Sequence, residues 1–352
     1  MSMLTELVDH VIGVDTHTDT HTAAVVAAAT GAVLETVTVA TDPAGYQALI
    51  ELAERYSGLR AFAVEGAGGY GAGLTRHLAA AGELVIELDR PTRPARRGGR
   101  RSDPLDAARA ARDALARTNL AQPKAGAQRA ALQALLTARR SAVASATDTQ
   151  RQLRALVITA PEQVRARFRD HRSTRAQLTI AAGLRPGASH GDVEVVTTLT
   201  VLRDLARRVH ALEAEAAAHE KAIRAIVTGW RADLLELPGV GPINAAVVLT
   251  AWSHPGRCRD DAAFAMLAGA APVPASSGKT VRYRLNRSGD RQLNRALHSI
   301  AISRQRYHQP TRDYTDRRRC EGKTDREIRR CLKRYIARQI YRQLEPSPVD
   351  KP

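Results

Sequence analysis

The chain has 352 residues and carries 53 Lys+Arg against 36 Asp+Glu, a net charge of +17. That length supports two or three domains with cores of their own, and the charge selects a polyanion as partner, nucleic acid before an anionic membrane. No apolar run approaches the roughly 18–20 residues of a membrane span, and three widely spaced cysteines (Cys258, Cys320, Cys331) fit neither a disulfide framework nor a zinc knuckle.

The first segment reads as α/β. Val11–Val14, Thr22–Ala29 and Val33–Val39 are β-rich runs joined by tight turns, the last alternating like a half-buried strand. Asp42-Pro43 opens a helix over 44–56. A strand at Arg60–Val64 ends at Glu65, and a glycine-rich turn, Gly66–Gly73, leads into a helix near 74–81. Another strand, Leu84–Leu88, ends at Asp89. Residues 90–101 (RPTRPARRGGRR) form a basic linker whose prolines and glycines break helix and strand alike. Its Arg93, Arg96, Arg97, Arg100 and Arg101 are candidate nucleic-acid contacts. Ser102 or Asp103 then caps a helix running to about Arg117, with Pro104 in its first turn.

The middle of the chain is helical and rich in Ala, Leu and Arg. Long amphipathic helices near 128–158 and 192–226 flank a broken stretch containing Pro161, Gly183, Pro186 and Gly187, which predicts an antiparallel hairpin or coiled-coil arm. A third unit begins near Leu234. LLELPGVGPINAAVVLTAW reads as helix, tight turn, helix, and resembles a helix-hairpin-helix. Gly239 and Gly241 would there offer backbone N–H groups to phosphate, although a plain helical turn accounts for the pattern equally well. Helices near 260–267 and 290–306 flank a polar loop, and a last basic helix spans 325–344. The expected domains are 1–120, 121–230 and 231–352.

Charge is partitioned along the chain. Residues 1–89 hold three basic and twelve acidic residues, a net of −9, so the remainder holds +26. Four of the acids fall at element boundaries: Asp15 after the first strand, Glu65 after a later one, and Asp103 and Asp106 three apart on one helix face. Carboxylates converging on one sheet edge repel unless cations neutralise them, and hard oxygen ligands select Mg²⁺ or Mn²⁺. Two such ions can clamp a phosphodiester. Each acid alone is also an ordinary turn or cap residue. Asp19 and Asp89 are weaker competitors, and His17 and His21 are expected to face solvent in the hairpin.

In PVPASSGKTVRYRLNR (272–287), Ser276 and Ser277 lie beside Lys279, Arg282, Arg284 and Arg287. A serine flanked by cations can attack a phosphodiester, yet most Ser-Ser-Gly tripeptides are plain loops. Residues 277–344 hold 20 basic and 6 acidic residues, and Arg304, Arg306, Arg312 and Arg317–Arg319 are expected to grip phosphates.

The blocks GVDTHTDTHTAAV, AVEGAGGYGAGL and GGRRSDPLDAARAA resemble the DEDD signature of the RuvC-like (RNase H-like) domain in one group of bacterial insertion-sequence transposases, the IS-one-ten family. LPGVGPINAAVVL and FAMLAGAAPVPASSGKTVRYRLNRSGDRQLNRAL resemble that family's C-terminal domain. The resemblance runs from about residue 10 to 344. It implies an α/β RuvC-like domain, a helical arm and a mostly α C-terminal domain. Position by position it implies Asp15, Glu65, Asp103 and Asp106 as the metal-binding acids and Ser277 as the nucleophile, with Ser276 adjacent. It further implies Mg²⁺ or Mn²⁺, donor and target DNA, a bridge RNA as guide, and a homo-oligomer (dimer or tetramer) joining the metal site of one subunit to the serine of another. The sequence departs from the family in Asp89-Arg90-Pro91 and Glu65-Gly66-Ala67-Gly68, neither of which removes a reacting group. The acidic start MSMLTELVDH lacks the basic stretch of a signal peptide, so a bacterial cytoplasmic, nucleoid-associated protein is expected. Two other readings stay open: a structure-selective metal-dependent nuclease acting on branched DNA, and a non-catalytic nucleic-acid-binding protein.

Overall fold

A computed structural model describes residues 3–88, 102–118, 120–188, 192–275, 283–284 and 286–345. The chain forms two compact units, 1–124 and 125–352.

The first unit is built on five strands: β1 (His10–Thr16), β2 (Thr20–Ala27), β3 (Val33–Ala40), β4 (Arg60–Glu65) and β5 (Val85–Leu88). Their order is β3-β2-β1-β4-β5. β1, β2 and β3 are antiparallel neighbours, whereas β4 and β5 run parallel to β1. Helices α1 (Pro43–Glu54) and α2 (Ala72–Ala80) accompany the strands, and α3 (Asp103–Leu115) follows them. Asp42 starts α1 by accepting a hydrogen bond from the Gly45 amide at 2.8 Å.

Strand parity sorts the two faces of this sheet. Ile12, Val14, Phe62 and Val64 pack with Leu49, Leu74 and Leu78 of α1 and α2. Val11, Ala61, Ala63 and Ile86 pack with Ala110, Ala111 and Ala114 of α3. The α3 face is made of small residues, so the helix lies very close to β1. A Cβ built on Gly13 would stand 2.0 Å from the Ala107 carbonyl oxygen and 2.6 Å from the Ala111 nitrogen. Only glycine permits that approach.

The second unit contains two long helices, α4 (Ala127–Thr159) and, further on, α7 (Val193–Arg231). Arg139 pairs with Glu220 at 2.9 Å and Gln150 donates to Glu213 at 3.1 Å, so the two run antiparallel. Buried positions on α7 (Leu202, Ala206, Val209, Ala216, Ile223, Val227) recur at steps of three, four and seven, the period of a coiled-coil seam. The broken stretch between them contains α5 (Glu162–Arg165) and α6 (Thr174–Ala182), and it is not a mere linker. Its Val164, Phe168, Leu178 and Leu184 close over Leu153, Leu199 and Leu202 to form a separate core at the tip.

At the other end, Leu132, Ile223 and Val227 join a core supplied by α9 (Pro242–Trp252), α10 (Asp261–Leu267), α11 (Arg291–Tyr307) and α13 (Asp325–Leu344). The helix before the GVG turn is a single turn, α8 (Asp233–Glu236). One further helix, α12 (Gln309–Cys320), was not anticipated. Its sequence has no apolar stripe, and its buried positions are Thr311 and Thr315. No described helix is long and apolar enough to cross a membrane.

Candidate functional site

β1 and β4 are parallel neighbours, with Val14 paired to Val64. Asp15 and Glu65 are therefore the next residues along, side by side at one sheet edge. Both share the parity of Gly13 and Ala63, which face α3. Asp103 and Asp106 lie in the first turn of that same helix. The N-cap of α3 is Ser102, and Asp103 is the first helical residue, so its carboxylate is not the cap. The contact at Gly13 thus brings the helix start to the strand end that carries Asp15.

Asp15, Thr16, His17, Glu65, Gly66 and Tyr70 line a cleft of about 550 Å³. One donor atom each from Asp15, His17 and Asp103 lies within 4.8 Å of the others. The Thr16 hydroxyl donates to the Glu65 carbonyl at 2.8 Å, which locks the ends of β1 and β4 together. Asp106 is held by Arg109 at 2.5 Å, one turn along α3. Burial pushes the Asp15 carboxyl above its ordinary value; the charges of Asp106 and Asp103 push the same way, and His17 opposes them. A carboxylate destabilised by burial and by its acidic neighbours is the donor chemistry that a divalent cation satisfies, so these residues fit such an ion.

Of the two histidines, His17 is exposed as expected and His21 is not. His21 is fully buried and stacks on Tyr46 with ring centroids 5.8 Å apart. Burial lowers its pKa. His17 is half-exposed, but its Nε2 stands 3.3 Å from Asp15 and 3.6 Å from Asp103. The signal for His17 was its parity: two residues past Asp15, it falls on the same face. Taking the strand to end at Val14 hid this.

Among the C-terminal candidates, Ser276, Ser277, Lys279 and Arg282 lie outside the described residues, as do Arg93, Arg96, Arg97, Arg100 and Arg101 of the basic linker. The base of the serine loop is described. Residues Val273–Pro274 and Tyr283–Arg284 pair as a two-residue ladder, β6 and β7. Buried Asn286 donates to the Met266 carbonyl at 3.2 Å, and Asn294 of α11 donates to the Ala268 carbonyl at 2.6 Å. The loop therefore springs from a base bonded to α10 and α11.

Two clefts adjoin that base. Arg284, Arg318, Lys323, Arg330, Lys333 and Arg334 help to line one of about 460 Å³. Arg287, Arg295, His298, Arg329, Arg330 and Lys333 help to line another of about 530 Å³. Lys333 belongs to both. Its ammonium donates to Asn294 at 3.0 Å, and burial followed by the charge of Arg330 lowers its pKa. His298 is lowered by burial, then by Lys333 and Arg329. The sequence reading missed Lys333 and Arg330 as individuals, although cations three or four apart on α13 (Arg326, Arg330, Lys333, Arg334) mark one helix face.

Other basic residues serve the fold instead. Arg304 is buried, and its guanidinium donates to the Pro238 carbonyl at 2.6 Å and to Gln339 at 2.8 Å, so it does not grip phosphate. It braces the GVG turn, where Gly239 has φ +77° and a Cβ would come within 3.1 Å of the Ile300 carbonyl. Gly241 is the N-cap of α9. Arg318 pairs with Glu321 and Arg319 with Asp316, each three residues apart on or beside α12, and Arg319 also pairs with Asp325 at 2.9 Å.

A five-stranded sheet in the order 3-2-1-4-5, antiparallel on one side of β1 and parallel on the other, defines an RNase H-like domain. The chain belongs to the IS110/IS116/IS902 family of transposases. The family's DEDD transposase pattern matches residues 12–160, and the pattern described as transposase IS116/IS110/IS902 family matches residues 231–316. The chain is also similar to the insertion element IS110 uncharacterized 43.6 kDa protein of Streptomyces coelicolor, with 33% identity over 142 residues, 40% of this chain. The match spans 33% of that relative's length.

Proposed function

We propose that this protein is a DNA transposase that excises and inserts an insertion-sequence element by cleaving and rejoining strands. The observation that carries the reading is the convergence of Asp15, Glu65 and the first turn of α3 at one sheet edge, inside the segment that matches the DEDD pattern. Asp15, Glu65, Asp103 and Asp106 hold one or two Mg²⁺ or Mn²⁺ ions, which supply Lewis-acid stabilisation of the phosphoryl oxygens. Asp106 must exchange its Arg109 partner to take part.

Ser277 is the proposed nucleophile. Its oxygen forms a phosphoserine bond to DNA as the strand's sugar oxygen leaves. The loop that presents it rises from the Asn286 and Asn294 bonds, and the clefts around Lys333 and Arg330 hold the phosphates of the nucleic-acid partners. Those partners are donor and target DNA and a bridge RNA. The working form is a homo-oligomer in the bacterial cytoplasm, with the division 1–120, 121–230 and 231–352 separating nuclease, arm and serine-bearing domains.

The test is Ser277→Ala beside Asp15→Asn. Ser277→Ala should abolish covalent protein–DNA adducts and recombination while DNA and RNA binding persist. Full nicking of branched DNA by that variant would refute the serine step and favour a plain nuclease. Asp15→Asn should abolish cleavage in Mg²⁺ and Mn²⁺, and cleavage at the original rate would refute the metal site.

A further inference from the structure

His17 follows the last residue of β1 and shares the parity of Asp15. Its side chain is 53% exposed, so packing alone does not set its position. Its Nε2 nonetheless lies 3.3 Å from Asp15 Oδ2 and 3.6 Å from Asp103 Oδ1. Neighbouring ligands on one ion with bonds of ~2.1 Å stand about 3 Å apart. The observed spacings of 3.3 and 3.6 Å exceed that by about 0.3 and 0.6 Å, a difference that side-chain rotation removes. Glu65 lines the same cleft from the adjacent strand.

We propose that His17 is itself a ligand of the divalent cation through Nε2, with Asp15 and Asp103, and that this nitrogen moves the preference of the site from Mg²⁺ toward Mn²⁺. The inference rests on the reading of these carboxylates as a metal site. Mg²⁺ demands oxygen ligands and keeps much of its water, whereas imidazole suits later, softer ions and the nitrogen raises their affinity in the usual transition-metal order. Ligation through Nε2 uses the neutral tautomer with its proton on Nδ1, which leaves the Nε2 lone pair for the ion. His21, buried against Tyr46, is not a competitor for this position.

The experiment uses the full-length protein stripped of metal and titrated with Mn²⁺ alone, read by pulsed electron paramagnetic resonance. Modulation from a directly bonded ¹⁴N nucleus is expected in the wild type and should vanish in His17→Ala. Competition with Mg²⁺ gives a second readout: His17→Ala should lose Mn²⁺ affinity by on the order of tenfold or more, with a smaller loss for Mg²⁺. His17→Asp, which restores an oxygen donor, should recover binding without ¹⁴N modulation and with its preference shifted to Mg²⁺. Asp15-dependent Mn²⁺ binding without ¹⁴N modulation, or an unchanged Mn²⁺-to-Mg²⁺ ratio in His17→Ala, would overturn the proposal alone. No Mn²⁺ binding by the wild type, or binding indifferent to Asp15→Asn, would overturn the metal-site reading beneath it.

Discussion

Gly13→Ala is the most informative perturbation of the first unit, because one methyl group tests both the fold and the site. The new Cβ would stand 2.0 Å from the Ala107 carbonyl oxygen, 2.6 Å from the Ala111 nitrogen and 2.9 Å from the Ala111 Cβ. Carbon contacts become favourable only near ~3.5 Å, so α3 must retreat from β1 by roughly 1.5 Å. The obstructing atoms are helix backbone and cannot swing aside. Overpacking costs about 1–3 kcal/mol, and a clash with main chain belongs at the upper end, about 3 kcal/mol. The retreat also carries Asp103 away from Asp15, and a misplacement of about 1 Å at a reacting centre costs on the order of 10²-fold in rate. Urea denaturation gives the first quantity, and Mn²⁺ affinity with DNA cleavage gives the second. A variant with wild-type stability and wild-type Mn²⁺ affinity would refute the argument that α3 is seated through Gly13.

Three further outcomes follow from the second unit. Arg304→Met removes the bonds to Pro238 and Gln339 and should destabilise the protein by about 1–3 kcal/mol, while leaving the salt dependence of nucleic-acid binding unchanged; a shallower salt slope would return Arg304 to the phosphate contacts. Replacing Lys333 and Arg330 together by Ala should weaken DNA binding and reduce the slope of log K against log salt by roughly 1.8, at about 0.9 per phosphate contact; an unaltered slope would remove these clefts from the interface. Asp233 accepts hydrogen bonds from Arg231, which hold its carboxyl below the usual range. Its contribution to stability is therefore complete above the free-carboxylate value near pH ~3.9 and is lost as pH falls through its lower folded value. Asp233→Asn should flatten the acid limb of the stability curve below about pH 4, and an unchanged limb would contradict the pairing.

The candidate site was legible to different depths at different residues. Asp15 and Glu65 end apolar runs, and Asp103 opens a helix after a linker, so their positions at element boundaries could be read directly. His17 required the correct end of β1: parity assigns it to the face of Asp15 only if the strand continues to Thr16, and it does. α12 stayed hidden because Gln309–Cys320 buries two threonines and offers no apolar period to detect. Arg304 looked like its neighbours on the chain. Its burial depends on the GVG turn and Gln339, which lie 66 and 35 residues away.

Composition and local pattern determined the acidic front segment, the basic remainder, the strand and helix types and the order of the motifs. Each of these follows from side-chain chemistry or from a period of two or 3.6 residues, and each is a local property. The tertiary structure decided which of those residues meet. A glycine opposite a helix backbone brought Asp103 to Asp15 and His17. The return of α13 onto α11 set Lys333 and Arg330 beside the base of the serine loop, while burial withdrew Arg304 into the core. Such choices depend on contacts between segments far apart in the chain, and the free energy of those contacts comes from packing and desolvation that no local pattern records.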